Sequence, residues 1–92
     1  MPTGDSVENA VLRVRCMEMI FDVLCSEADA DPSAVDRYLF SILTDYYENG
    51  WWMHDYELDE KGYLPKDLKR GVLSEDGVYD LISRIESCPN DV

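Results

Sequence analysis

The chain has 92 residues, 46% of them apolar, and its twenty acids against eight bases leave a formal charge of −12. A chain of this length folds as one domain and buries about 60–65% of its unfolded surface, enough for one modest core but not for a deep, enclosed active site. The charge argues against a nucleic-acid backbone or an anionic membrane as partner, since both are held by clustered Lys and Arg, and it permits a basic partner.

The first helix is expected over residues 6–28. Asp5 and Glu8 have the spacing of a capping box. Val7, Ala10, Val14, Met17, Phe21 and Leu24 recur every three or four residues and so share one face. A second apolar row, Leu12, Cys16, Met19 and Val23, lies on a different side, with Arg15, Glu18 and Asp22 as a polar strip between the rows. A helix that is apolar on two sides needs two covers. The second cover is either another helix of the same chain or a second subunit, and the sequence reading expects a homodimer through Leu12, Cys16, Met19 and Val23.

Asp31-Pro32 has the pattern of an N-cap followed by proline at the first helical position, which predicts a second helix running to Glu48. Its buried face is expected to hold Val35, Tyr38, Leu39, Ile42, Leu43 and Tyr46. Asn49-Gly50 suits a C-cap, because both residues tolerate the left-handed conformation. The short link between the two helices implies an antiparallel hairpin. Trp51–Glu60 is expected to form a short third helix or irregular turns, broken by Gly62 and Pro65. Residues 66–71 then make a turn or loop. Ser74 is a good N-cap for the last helix, with Glu75 and Asp76 favoured in its first turn. Val78, Leu81, Ile82 and Ile85 form that helix's core stripe, and Cys88-Pro89-Asn90 ends it. The expected fold is therefore all-α: a single domain over residues 1–92, built from a helical hairpin, a short connecting helix and a C-terminal helix.

The three cysteines, Cys16, Cys25 and Cys88, are odd in number and include no C-x-x-C pair, and Cys16 and Cys25 lie in an apolar helical pattern, which suits reduced, mostly buried thiols in an intracellular protein. The start Met-Pro-Thr-Gly-Asp lacks the regions of a signal peptide, and the longest apolar run is too short to span a bilayer. The expected location is the cytoplasm.

Known site chemistries find little support. Frames starting at Asp55 or Glu57 place the wrong residues where a calcium loop needs its glycine or its closing glutamate. His54 is the only histidine and the cysteines are widely spaced, so zinc is not expected. His54 and Asp55 are adjacent, so on a helix they point apart, and no nucleophile is paired with them. The glycines flanking the last helix start could face phosphate, but Glu75 and Asp76 fill that position with the wrong charge. No catalytic residue, metal or cofactor is expected.

The distinctive segment is local. Tyr38, Phe40, Tyr46, Tyr47, Trp51, Trp52 and Tyr56 crowd one window together with Asp45, Glu48, Asp55, Glu57, Asp59 and Glu60. Lys61, Lys66, Lys69 and Arg70 follow at once, half of all the bases. The structural reading is that aromatics fill a core and the basic turn folds back on the acids, with Asp55 or Asp59 reaching Lys69 or Arg70. The functional reading is a protein-binding surface on Tyr47, Trp52, Asp55, Lys69 and Arg70, partly exposed and contiguous, because Trp, Tyr and Arg are common anchors of interfaces.

The run Leu64-Pro65-Lys66-Asp67-Leu68-Lys69-Arg70-Gly71-Val72-Leu73-Ser74-Glu75-Asp76, together with Tyr46, Tyr47, Trp52, Asp55, Tyr56, Asp59, Gly62 and Tyr79, resembles a bacterial family of small proteins known as domain of unknown function 4298. The resemblance covers about two-fifths of the chain. It implies a small bacterial cytoplasmic protein and brings no activity, cofactor or catalytic residue; Trp51 departs from the pattern. The functional expectation is a non-enzymatic protein-interaction or adaptor domain. The alternative is an acidic inhibitor that mimics nucleic-acid charge.

Overall fold

The computed structural model describes residues 6–74 and 76–87. Among them every regular element is helical: α1 (Val7–Ala30), α2 (Arg37–Glu48), α3 (Trp51–Glu60) and α4 (Gly77–Glu86), with 3-10 turns at Pro32–Ala34 and Gly71–Leu73. The chain is all-α, as the spacing of its apolar residues predicts.

The helix ends follow from side-chain chemistry. Ser6 is the N-cap of α1, its hydroxyl accepting from the Asn9 amide at 3.1 Å; Asp5 lies outside the described residues. Asp31 closes α1 in an extended conformation, and its carboxylate accepts from the Ser33 amide at 3.1 Å. The second helix starts later than Asp31-Pro32 suggests. That pair begins only a 3-10 turn, Val35 is extended, and Asp36 is the true cap, its carboxylate accepting from the amides of Tyr38 and Leu39. The shift corrects the buried face too: Tyr38 is 74% exposed, while Phe40 turns inward.

Gly50, at φ +92°, swings the chain from α2 into α3. Gly62, at φ +80°, stops α3. There the Tyr63 amide donates to the Leu58 carbonyl and the Gly62 amide to Asp59, the paired bonds of a Schellman end. The last helix starts later than Ser74 suggests: its N-cap position is Asp76, which makes no side-chain cap bond, while Ser74 Oγ accepts from the Gly77 amide at 3.1 Å and closes the turn that leads into α4. Glu75 and the chain end at Cys88-Pro89-Asn90 lie outside the described residues.

One buried cluster joins the elements. Ala10, Val14, Leu24 and Ala28 of α1 meet Leu43 and Tyr46 of α2, Trp52 of α3, and Val78, Leu81, Ile82 and Ile85 of α4. Met17 and Phe21 pack on it part-buried, and Val7 stands more open. Leu64, Leu68, Val72 and Leu73 close its remaining side. No helix of the described residues is long and apolar enough to cross a membrane.

Candidate functional site

The geometry separates the five candidate binding residues. Trp52 is 6% exposed and Asp55 is fully buried. Tyr47 is part-buried against the core. Lys69 is the most open, with 74% of its side chain exposed, and Arg70 has 35%. The expected contiguous exposed patch does not form, because Trp52 and Asp55 lie on the inward side of α3.

Asp55 instead anchors a polar network inside the bundle. Arg13 of α1 grips it with both arms of the guanidinium: Nε donates to Oδ2 at 2.8 Å and Nη2 to Oδ1 at 2.5 Å. The Tyr46 hydroxyl donates to Oδ2 at 2.8 Å. A buried carboxylate needs such partners, since unpaired burial of its charge costs several kcal/mol. The Arg13 guanidinium also stacks over Trp51, 4.1 Å from the ring centroid. Burial, and then the Asp55 charge and hydrogen bond, push the Tyr46 hydroxyl well above its ordinary pKa, with Arg13 acting the other way. The network is held too tightly for Tyr46 to serve as an acid near neutral pH.

Asp59 does meet the basic turn. Arg70 donates Nη1 to Asp59, Nη2 to the Pro65 carbonyl, and Nε to the Leu68 carbonyl at 3.2 Å. One guanidinium therefore staples α3 to the loop that follows it. Lys69 points elsewhere, to Asp22 of α1 at 3.2 Å.

A second lock centres on Val72. Its amide donates to Glu18 Oε1 at 2.8 Å, and its carbonyl accepts from Trp52 Nε1 at 2.7 Å. Trp52 is itself fixed by Tyr56 stacked at 5.0 Å and by Tyr47 edge-on at 5.3 Å. Glu18, assigned to a surface strip by its spacing, is 6% exposed. Sequence reasoning missed Arg13 and Glu18. Both sit at the edge of the apolar face of α1, and their partners are 42 and 54 residues away, so no local pattern marks them.

The second apolar row stays open. Leu12 is 64% exposed, Met19 70% and Val23 43%; Cys16 is exposed and Cys25 only part-buried, against the expectation of mostly buried thiols, because Cys16 lies on the outer side of α1. The row lies on the side of α1 opposite Ala10, Val14 and Ala28, and none of α2 to α4 covers it. Two clefts adjoin it. One, of about 330 Å³, runs between Arg15, Met19 and Asp22 of α1 and Asp67, Leu68 and Lys69 of the loop. The other lies between Val7, Val11 and Leu12 and the Tyr63 and Pro65 side chains. The 63–70 segment thus walls both. Among the described residues, no three His, Cys, Asp or Glu side chains gather to hold a metal. His54 packs edge-on to Trp51 with centroids 6.0 Å apart. Burial raises the Cys25 thiol's pKa, partly offset by Arg84, which makes it a poor nucleophile.

The fold is thus that of a small all-helical domain whose middle segment is locked by two buried polar contacts. A family model matches residues 15–88, and the chain belongs to that family, described as Domain of unknown function (DUF4298). No curated protein and no solved structure matches the chain.

Proposed function

We propose that this chain is a non-enzymatic protein-interaction domain that acts in the bacterial cytoplasm, and that its docking face is the outer side of α1 with the adjoining 63–70 loop. The supporting observation is the exposed row Leu12, Cys16, Met19 and Val23. Large apolar side chains scattered singly are ordinary on a surface, but a row aligned along a helix and rimmed by charged side chains has the composition of an interface core and rim. Trp52, Asp55 and Tyr47 support the face from behind, Arg70 braces the loop, and Lys69 stands at the rim.

An enzyme finds less support. The groups with chemical potential, His54, Tyr46, Asp55 and Cys25, are packed or bonded into structural roles. The nucleic-acid mimic also finds less support than the interaction domain, since it needs free carboxylates in an array. Asp31 caps a 3-10 turn and Asp36 caps α2, Asp55 and Glu18 are buried, and Asp59 is tied to Arg70.

The test is a photo-crosslinking residue bearing a benzophenone, introduced in place of Met19 in the producing cell, with Tyr79 as an exposed control position on α4. Covalent protein adducts are expected from position 19 and not from position 79. Absence of any adduct at position 19 would remove this face as the working surface.

A further inference from the structure

We infer that the occupant of the exposed α1 face is a second copy of this chain, bound antiparallel about a twofold axis that crosses α1 between Met17 and Glu18. The inference rests on the interaction reading above and names its partner.

The sequence of the row carries the register. Leu12, Cys16, Met19 and Val23 are spaced four, three and four, the spacing of the inner seam of a two-helix coiled coil. The order four, three, four is the same read in either direction, so the row superposes on itself when the helix is reversed. Under the proposed axis Leu12 meets Val23 of the second copy, and Cys16 meets Met19. Each layer pairs a smaller side chain with a longer one, which favours interdigitation over a gap. A twofold contact requires this kind of self-complementary patch.

Charge at the seam's edge agrees. Arg15 and Asp22 flank the row on the same side of α1. Reversal places Arg15 beside the second copy's Asp22, and Asp22 beside the second copy's Arg15. A parallel pairing would instead set Arg15 beside the second copy's Ile20 and Asp22 beside its Glu27, which gives Arg15 no carboxylate and Asp22 a like charge. Asp22 already attracts Lys69 across the adjoining cleft, but both side chains of that pair are more than half exposed and the pair is weak. Asp22 is therefore available to a second cation. The helices α2, α3 and α4 pack on the side of Ala10, Val14 and Ala28, and the 63–70 loop borders the row along the edge that carries Arg15 and Asp22.

The experiment is sedimentation of the full chain at high micromolar concentration, in reducing buffer, with two sets of variants. Twice the chain mass is expected. Met19→Glu puts a carboxylate into two seam layers and should raise the dissociation constant on the order of tenfold or more; its exposure means that the fold, followed by circular dichroism, stays intact. Arg15→Glu should weaken the dimer, and Arg15→Glu with Asp22→Arg should restore it. For the register, Cys16, Cys25 and Cys88 are replaced by Ser. Leu12→Cys combined with Val23→Cys should then oxidise to a covalent dimer, while Leu12→Cys alone should not, since the antiparallel register holds the two copies of position 12 far apart. A monomer at every concentration overturns the proposal. So does a disulfide dimer formed by Leu12→Cys alone, which would mean parallel pairing. A monomer that still gives an adduct with a different protein at position 19 also overturns the second copy as occupant, while leaving the interaction reading standing.

Discussion

Asp55 shows how one residue can change its apparent purpose once its surroundings are known. In the sequence it belongs to an acidic block and invites a partner. In the structure it is a fully buried carboxylate satisfied by Arg13 and Tyr46. Removing one member of a buried pair strands the other, so Asp55→Ala should cost about 3–5 kcal/mol, read as a fall in the urea midpoint. Tyr46 links the same network to alkaline pH. Its ionisation in the unfolded chain centres near 10.0, and in the native state it is held higher. Below the unfolded value both states keep the proton and the hydrogen bond contributes in full. Above it the unfolded chain loses the proton first, so the contribution falls as pH rises. The stability difference between the wild-type chain and Tyr46→Phe should accordingly shrink above about pH 10; a difference that is flat across that range would show that the hydroxyl is not held by Asp55. Trp52→Phe keeps an aromatic ring in place but removes the indole N–H that donates to the Val72 carbonyl. It should cost about 1–3 kcal/mol, measured by the same unfolding curves.

At the scale of elements, two glycines are required for different reasons. Gly62 ends α3 at φ +80° with open space around its α-carbon. Gly62→Ala should cost about 1–2 kcal/mol from backbone strain alone. Gly77 opens α4 without a positive φ, but a β-carbon there would lie 2.4 Å from Ser74 Oγ and 3.0 Å from the Gly71 carbonyl oxygen. Gly77→Ala must therefore displace the Ser74 hydroxyl. It should cost that hydroxyl's bond as well as the clash, about 1–3 kcal/mol, with fraying confined to the start of α4 in amide exchange. The 64–76 run, the most distinctive stretch of the sequence, is explained largely at this scale. Leu64, Leu68, Val72 and Leu73 plug the core, Arg70 braces the loop, and Glu18 and Trp52 hold the Val72 peptide from two helices.

For the whole molecule, the charge of −12 sets conditions on association. Two copies meeting through α1 carry their repulsion with them, and added salt screens it over a Debye length of about 10 Å at 0.1 M. The apolar seam is not weakened by the same salt. Self-association should therefore strengthen as ionic strength rises from about 0.02 to 0.3 M, followed by sedimentation. An interface held chiefly by Arg15 and Asp22 would show the opposite trend.

The sequence by itself determined the all-α class, the approximate extents of α1 and α4, the breaks at Gly50 and Gly62, the core stripe of α4, the family, and the existence of a second apolar row on α1; it left α3 open between a helix and turns and started α2 too early. What it determined rests on periodicity or on caps, which act within a turn or two of chain. Only the tertiary structure decided which polar residues are buried and which apolar ones are not. Arg13 with Asp55, and Glu18 with Val72, meet across long stretches of chain, and Trp52 turned from expected surface anchor into core. Among the described residues the outer row of α1 stays exposed because α2, α3 and α4 all pack against its other side. Amphipathic spacing states that a face wants burial; whether the chain itself supplies the cover depends on how the remaining helices are distributed around α1.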